Sequence, residues 1–219
     1  MKRTTGIIIL VVLLAIPALW VFLWKQTQFG YKELPVFTTD EMGVKEPYLI
    51  DSFELVDQNG NTFTRDSIGD RIFISNFFFA TCKDVCPTIN GHLKIATEKL
   101  KNSTDVLFLS HTVDPYNDSV SVLKDYADKF EANPNQWRFL TGKKSTIYHL
   151  ATNSYKAVIE EVPDTNNFIH SEKLMLVDKD FHVRGIYDGL DIKSVLNMVE
   201  DARFLLMNYA KKEDEQTDK

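Results

Sequence analysis

The chain of 219 residues contains two cysteines, Cys82 and Cys86. That is too few for a disulfide-dense scaffold or a four-cysteine zinc site. Positive charge is also short: 25 Lys and Arg against 31 Asp and Glu leave a net charge of −6. With no Lys/Arg-rich block, the chain lacks the electrostatic footprint of a nucleic-acid binder. Glycine (9) and proline (7) are sparse and no segment repeats, which excludes fibrous and collagenous architectures. What remains is 44% hydrophobic and 26% charged, a globular composition long enough for one domain with attachments.

One apolar run stands apart. Residues 6–24 read GIIILVVLLAIPALWVFLW, preceded by Lys2 and Arg3. As a helix they would span roughly 28 Å, near the hydrocarbon thickness of a bilayer. Trp20 and Trp24 fall where an interfacial aromatic belt belongs. A cleaved signal peptide has a shorter apolar region and a small-residue cleavage site; here Lys25-Gln26-Thr27-Gln28 follow instead. No cysteine follows the run closely enough to take a lipid. Residues 1–24 are therefore expected to be an uncleaved transmembrane anchor. The positive-inside rule puts Lys2 and Arg3 in the cytoplasm and the rest outside. With no Arg/Ser-rich presequence before the run, the expected location is a bacterial inner membrane, single-pass, with the domain facing the periplasm. Thiols there oxidise unless used or kept reduced.

Residues 25–47 show no periodicity and are expected to be a tether. Residues 52–56 and 62–64 predict a hairpin around Asp57-Gln58-Asn59-Gly60-Asn61, where Asn-Gly favours a tight turn. Residues 71–80 (RIFISNFFFA) predict a central buried strand. A helix over 88–101 and a second buried strand over 106–110 follow. Asp118 or Ser119 caps a helix to Phe130. A strand at 137–140, a helix at 145–154, strands at 156–161, 174–178 and 183–187, and a helix at 192–208 complete the order. The tail 211–219 is charged and expected to fray. This order predicts an α/β class: a thioredoxin-like sandwich over 48–210, with an N-terminal β-hairpin extension.

The cysteines lie where the most apolar strand meets the next helix, the edge at which open α/β sheets bind ligands. Spacing i, i+4 within a helical turn would face both sulfurs the same way, about 6 Å apart at Cα. That suits a disulfide or a shared metal ion. A helix N-terminus favours thiolate, and Lys83 adds a cation. An inert bridge closing so short a loop would stabilise little. Two soft thiolates suit Cu(I). A further ligand would have to be one of five histidines, His92, His111, His149, His170 and His182. His170 stands out, because it follows the polar stretch Pro163-Asp164-Thr165-Asn166-Asn167 and precedes a predicted strand. In a thioredoxin-like arrangement that position lies beside the cysteine-bearing helix. Cys82, Cys86 and His170 are thus the candidate metal ligands. The alternative is thiol–disulfide exchange with Cys82 and Cys86 as the catalytic pair and Cys82 attacking. A peroxidase would want an Arg beside Thr81 and Cys82, and no convincing one is present.

Cys82-Lys83-Asp84-Val85-Cys86-Pro87, Val113-Asp114-Pro115, Trp137-Arg138-Phe139-Leu140-Thr141-Gly142 and His170-Ser171 before Leu176-Val177-Asp178 together resemble the Sco/SenC family. The resemblance covers roughly 48–208. It implies a membrane-anchored, thioredoxin-like protein binding one copper through Cys82, Cys86 and His170. It also implies a role in assembling the CuA centre of cytochrome c oxidase, with that enzyme's copper-bearing subunit as partner. Copper delivery and reduction of the target cysteines are both compatible with it. Two positions depart from the family pattern: Lys83 stands where proline is usual, and Asn117-Asp118 where Arg-Asp is common.

Overall fold

The computed structural model describes residues 13, 15–21, 33–41, 44–157, 159–161 and 168–217. The chain forms two compact units, Met1–Glu33 and Leu34–Lys219. In the first, residues 15–21 are helical (α1). Among the described residues no helix is long and apolar enough to cross a membrane. Most of the apolar run 6–24 lies outside the described residues.

The second unit is built on β5 (Ile72–Phe78) and β6 (Val106–Thr112), in which every residue is buried. Their β-branched and aromatic side chains fill both faces of a pleated strand, as a covered parallel pair requires. Around them β3 (Glu54–Asp57), β4 (Thr62–Thr64), β7 (Trp137–Thr141), β10 (Lys173–Val177) and β11 (Val183–Asp188) complete a seven-stranded sheet of order β11-β10-β5-β6-β7-β3-β4. β5, β6 and β7 run parallel; β10 is antiparallel to β5, and β3 to β7. The expected N-terminal hairpin, β3–β4, thus extends the β7 edge.

Helices α2 (Val85–Lys99) and α3 (Val120–Lys129) are the crossovers that parallel strands need. They cover one face, where Tyr126 stacks on Phe78 at 5.0 Å and meets Phe139 edge-on at 5.8 Å. The other face is covered by α4 (Lys144–His149) and the π-helical turn Leu150–Ser154 that continues it. There Tyr155 meets Phe77 edge-on at 5.5 Å and lies 5.8 Å from the His111 ring. Helix α5 (Ile192–Thr217) packs on α2 and on the β10–β11 side.

Three expectations change. Residues 25–47 are not all tether: β1 (Thr38–Glu41) pairs with β2 (Val44–Pro47). Phe37 N–H donates to Val183 O at 3.0 Å and Val183 N–H to Tyr48 O at 3.0 Å. Arg184 holds the approach, donating from Nε to Pro35 O (3.0 Å) and from Nη2 to Leu34 O (2.5 Å). Second, α5 continues through much of the charged tail, where Lys211 and Glu215 pair at i, i+4 and Lys179 reaches Glu213 at 3.7 Å. Third, the strand predicted over 156–161 does not join the main sheet. Lys156 takes a left-handed φ of 52°. Among the described residues β8 (Ile159–Glu161) then pairs only with β9 (Phe168–His170).

Candidate metal and thiol site

The β5–β6 ladder runs to Phe78 and Thr112, and Val113 N–H still donates to Phe78 O at 2.8 Å. Past that point β5 turns, with Cys82 N–H donating to Phe79 O at 3.2 Å. Helix α2 starts only at Val85, so Cys86 sits in its first turn and Cys82 lies before it. The two cysteines are therefore not two positions of one helical turn, as the spacing suggested. The bend after β5 brings them together instead. Pro87, without an N–H, is suited to a helix's opening turn, where N–H groups have no intrahelical partner.

The two thiols are not joined in a disulfide and are hydrogen-bonded to each other. Cys82 is half-buried, whereas Cys86 is 1% exposed. Burial pushes the Cys86 thiol well above its ordinary pKa, and the hydrogen bond with Cys82 adds to this. For Cys86, desolvation outweighs the helix-terminus effect that favoured thiolate. It holds its proton until a metal or a base takes it. Lys83 is exposed.

Behind the pair lies a buried polar layer. Asn90 Nδ2 donates to the Tyr126 hydroxyl at 3.0 Å, and both residues are buried. Burial drives the Tyr126 hydroxyl upward, and the charges of Cys86, Cys82 and Asp118 push the same way. Asp118, fully buried, accepts from Ala80 N–H at 3.0 Å and from the Thr112 hydroxyl. The cap of α3 is Ser119, whose Oγ accepts from Val122 N–H. Asp and Ser cap helices equally well, so the sequence does not say which does.

The five histidines part company. His92 Nδ1 bonds Gly189 O at 2.8 Å, and His149 Nε2 bonds Asp51 at 3.0 Å. His182 lies 3.8 Å from Asp178. His111 is buried among Phe77, Phe53 and Tyr155, and burial lowers its pKa to about 3. His170 ends β9, three residues before Lys173 opens β10; its side chain lies outside the described residues. β10 runs antiparallel to β5 with Met175 opposite Ser75. Stepping back along β10 steps forward along β5, so the backbone leads His170 toward the sheet edge that carries Cys82. Among the described residues one other group gathers possible ligands, Asp178, Asp180 and His182. There Asp178 is already taken by two backbone N–H groups and Arg184.

A thioredoxin-like sheet with unbridged Cys-x3-Cys thiols at the strand-to-helix edge defines a class of protein that handles metal or electrons through sulfur. The chain belongs to the SCO1/SenC family, whose model matches residues 43–204. It is 29% identical over 164 residues to the SCO1 protein homolog of Bacillus subtilis, covering 73% of this chain and 85% of that protein. Among solved structures it is similar to BsSco, a member of the Sco family of cytochrome c oxidase assembly proteins in which a disulfide switch was identified. The TM-score is 0.64 and the identity 26%, over 78% of this chain and 98% of that one. Yeast Sco1 with copper bound gives a TM-score of 0.57 at 27% identity, over 72% and 90%.

Proposed function

We propose that this protein is a membrane-anchored copper-binding factor that assists assembly of the CuA centre of cytochrome c oxidase, with Cys82, Cys86 and His170 as ligands. The carrying observation is the pair of unbridged, mutually hydrogen-bonded thiols at the sheet edge toward which β10 leads His170. The donor set fits: two thiolates hold Cu(I), and an imidazole makes Cu(II) acceptable. Copper is the cargo, and its binding releases the proton that burial keeps on Cys86. Membership of the SCO1/SenC family and the similarity to copper-bound yeast Sco1 support the reading. The apolar run 6–24 supports an anchor that leaves the domain on the periplasmic side, where an oxidase's copper-bearing subunit is the partner. Copper titration of the full chain in detergent tests the ligand set. One copper per chain is expected, lost in Cys86→Ser and weakened at least about tenfold, roughly one ligand's worth of energy, in His170→Ala. Unchanged affinity of His170→Ala in both oxidation states overturns the three-ligand set.

The burial difference between the cysteines favours a second activity of the same pair, reduction of the target's cysteines. Half-buried Cys82 attacks a target disulfide, giving a mixed disulfide and one target thiolate. Cys86 then attacks the Cys82 sulfur, gives up its proton, releases the second target thiolate and leaves a Cys82–Cys86 disulfide. Two electrons pass to the target. A strongly reducing potential for the pair, with turnover of a CuA-peptide disulfide that Cys82→Ser abolishes, is the expected result. No turnover would leave copper delivery as its sole role.

A further inference from the structure

We propose that Asp118 is a positioning residue for the thiol pair: its carboxylate replaces the missing sheet partner of the strand that carries Cys82 and so fixes where that sulfur meets Cys86. The inference rests on the reading of Cys82 and Cys86 as the working pair, whatever they carry.

The argument starts with the backbone. The ladder of β5 against β6 stops at Phe78 and Thr112. Ala80, two residues before Cys82, has a backbone N–H that β6 no longer reaches, and an unpaired buried N–H is costly. Asp118 Oδ2 accepts it at 3.0 Å across 38 residues of sequence. The same oxygen accepts the Thr112 hydroxyl, whose Oγ1 in turn accepts Asp114 N–H at 3.0 Å. Asp118 N–H donates to Asp114 O at 2.9 Å, and Asn117 Nδ2 to Asp114 Oδ2 at 2.8 Å. The loop after β6 is thereby closed on itself, with one carboxylate aimed across at the bend after β5. Ala80 and Cys82 flank the single residue Thr81, so a shift at Ala80 reaches the Cys82 sulfur with little chain to absorb it.

The burial of this carboxylate separates function from mere structure. Asp118 is 0% exposed, and its Oδ1 has no hydrogen-bond partner among the described residues. A carboxylate with one orphan oxygen stabilises a fold poorly; an apolar side chain of the same size would suit the core better. Local violations of that kind gather where a site has to be held. A cap role does not account for it either, since Ser119 does the capping.

Three variants of the full chain test this: Asp118→Asn, Asp118→Leu and Thr112→Val. The readouts are the reduction potential of the metal-free Cys82–Cys86 pair, the rate at which oxidant closes it, and copper affinity. Asp118→Leu is expected to keep the fold and slow disulfide closure at least tenfold, with copper affinity falling by a similar factor. Asp118→Asn keeps an acceptor for Ala80 N–H and is expected to stay within about threefold of wild type. Thr112→Val, which leaves the Ala80 bond in place, is expected to fall between them. Wild-type closure rate and potential in a folded Asp118→Leu overturn the proposal. So does an Asp118→Asn as impaired as the leucine variant, which would make charge rather than the hydrogen bond the active element. If Asp118→Leu fails to fold, the Asn and Val variants decide by the same ordering. Failure of the copper reading is seen separately, as a wild-type chain that binds no copper while the closure rates still order the variants.

Discussion

Asp57 and Asp178 open two hairpin turns, after β3 and after β10, and the turns are built alike. In each, the aspartate Oδ1 accepts the N–H groups two and four residues on, at 2.9–3.0 Å. In each, Oδ2 accepts an arginine Nη1, from Arg138 at 2.8 Å or Arg184 at 2.9 Å. The fourth residue of each has a left-handed φ, 80° at Gly60 and 66° at Phe181. Glycine takes that conformation freely; phenylalanine does so only because its ring is held, 6.1 Å from Phe73 and 3.9 Å under the Arg65 guanidinium. The ends of β5 and β6 and the groups packed on them follow no such plan. Asp118 Oδ1, both His111 nitrogens, Asn76 Nδ2 and Asn90 Oδ1 are all buried without hydrogen-bond partners among the described residues. The two turns have their aspartates satisfied and serve stability, although Arg138 Nε is itself buried without a partner among the described residues. The ends of β5 and β6 and the groups packed on them leave more polar capacity unused, a pattern found where a site has to be held.

Four substitutions bear on that contrast, from the largest expected effect to the smallest. Arg184→Met strands a 2% exposed Asp178 and frees the Leu34 and Pro35 carbonyls. Urea unfolding should show a loss of about 3 kcal/mol, with Cys82 alkylation unchanged; altered alkylation would mean that this turn and the thiol site are coupled. Arg138→Met strands Asp57 in the same way but releases no strap, so about 2 kcal/mol is expected by the same measurement. Gly60→Ala meets only Val120 at 3.9 Å, so its cost is the left-handed φ alone, about 1 kcal/mol. A cost below a few tenths would show that the two turns are not equivalent. His111→Phe is expected to be near neutral at pH 7 and to matter in acid. Folded His111 stays neutral down to about pH 3, while the unfolded chain takes a proton below about 6.5. The unfolded state thus binds more protons across that window, and stability falls as pH drops through it. Removing the imidazole should flatten this acid limb by up to about 1.4 kcal/mol per pH unit. An unchanged limb assigns acid sensitivity to other groups.

What was legible in the sequence follows from how local the cause is. β5 and β6 are unbroken apolar runs, Gly60 sits in an Asn-Gly pair, and the cysteines fall at a strand end; each is a short-range signal. The β1–β2 hairpin was missed because what seats it, Val183 and Arg184, lies well over a hundred residues on; Arg184 and Pro35 are 149 apart. The continuation of α5 was missed because alternating charge reads equally as a solvated tail and as i, i+4 helix pairs. The convergence of the cysteines was foreseen from the wrong geometry, a helical turn where there is a bend held by Asp118. At Phe181 nothing local announces an aromatic residue with positive φ.

The strap from Leu34 to Ile50 also has a bearing on solubility. Phe37, Tyr48 and Ile50 occupy backbone groups of Phe181 and Val183 at the start of β11, the outermost strand on that side. Uncovered strand edges invite the same edge of another molecule to add on. A chain shortened to begin at Tyr48 would lose the Phe37 bond and the Arg184 contacts together. Light scattering is expected to register self-association in that fragment and not in one beginning at Glu33. The segment that resembles a mere leash is, at its far end, the guard of an open β edge.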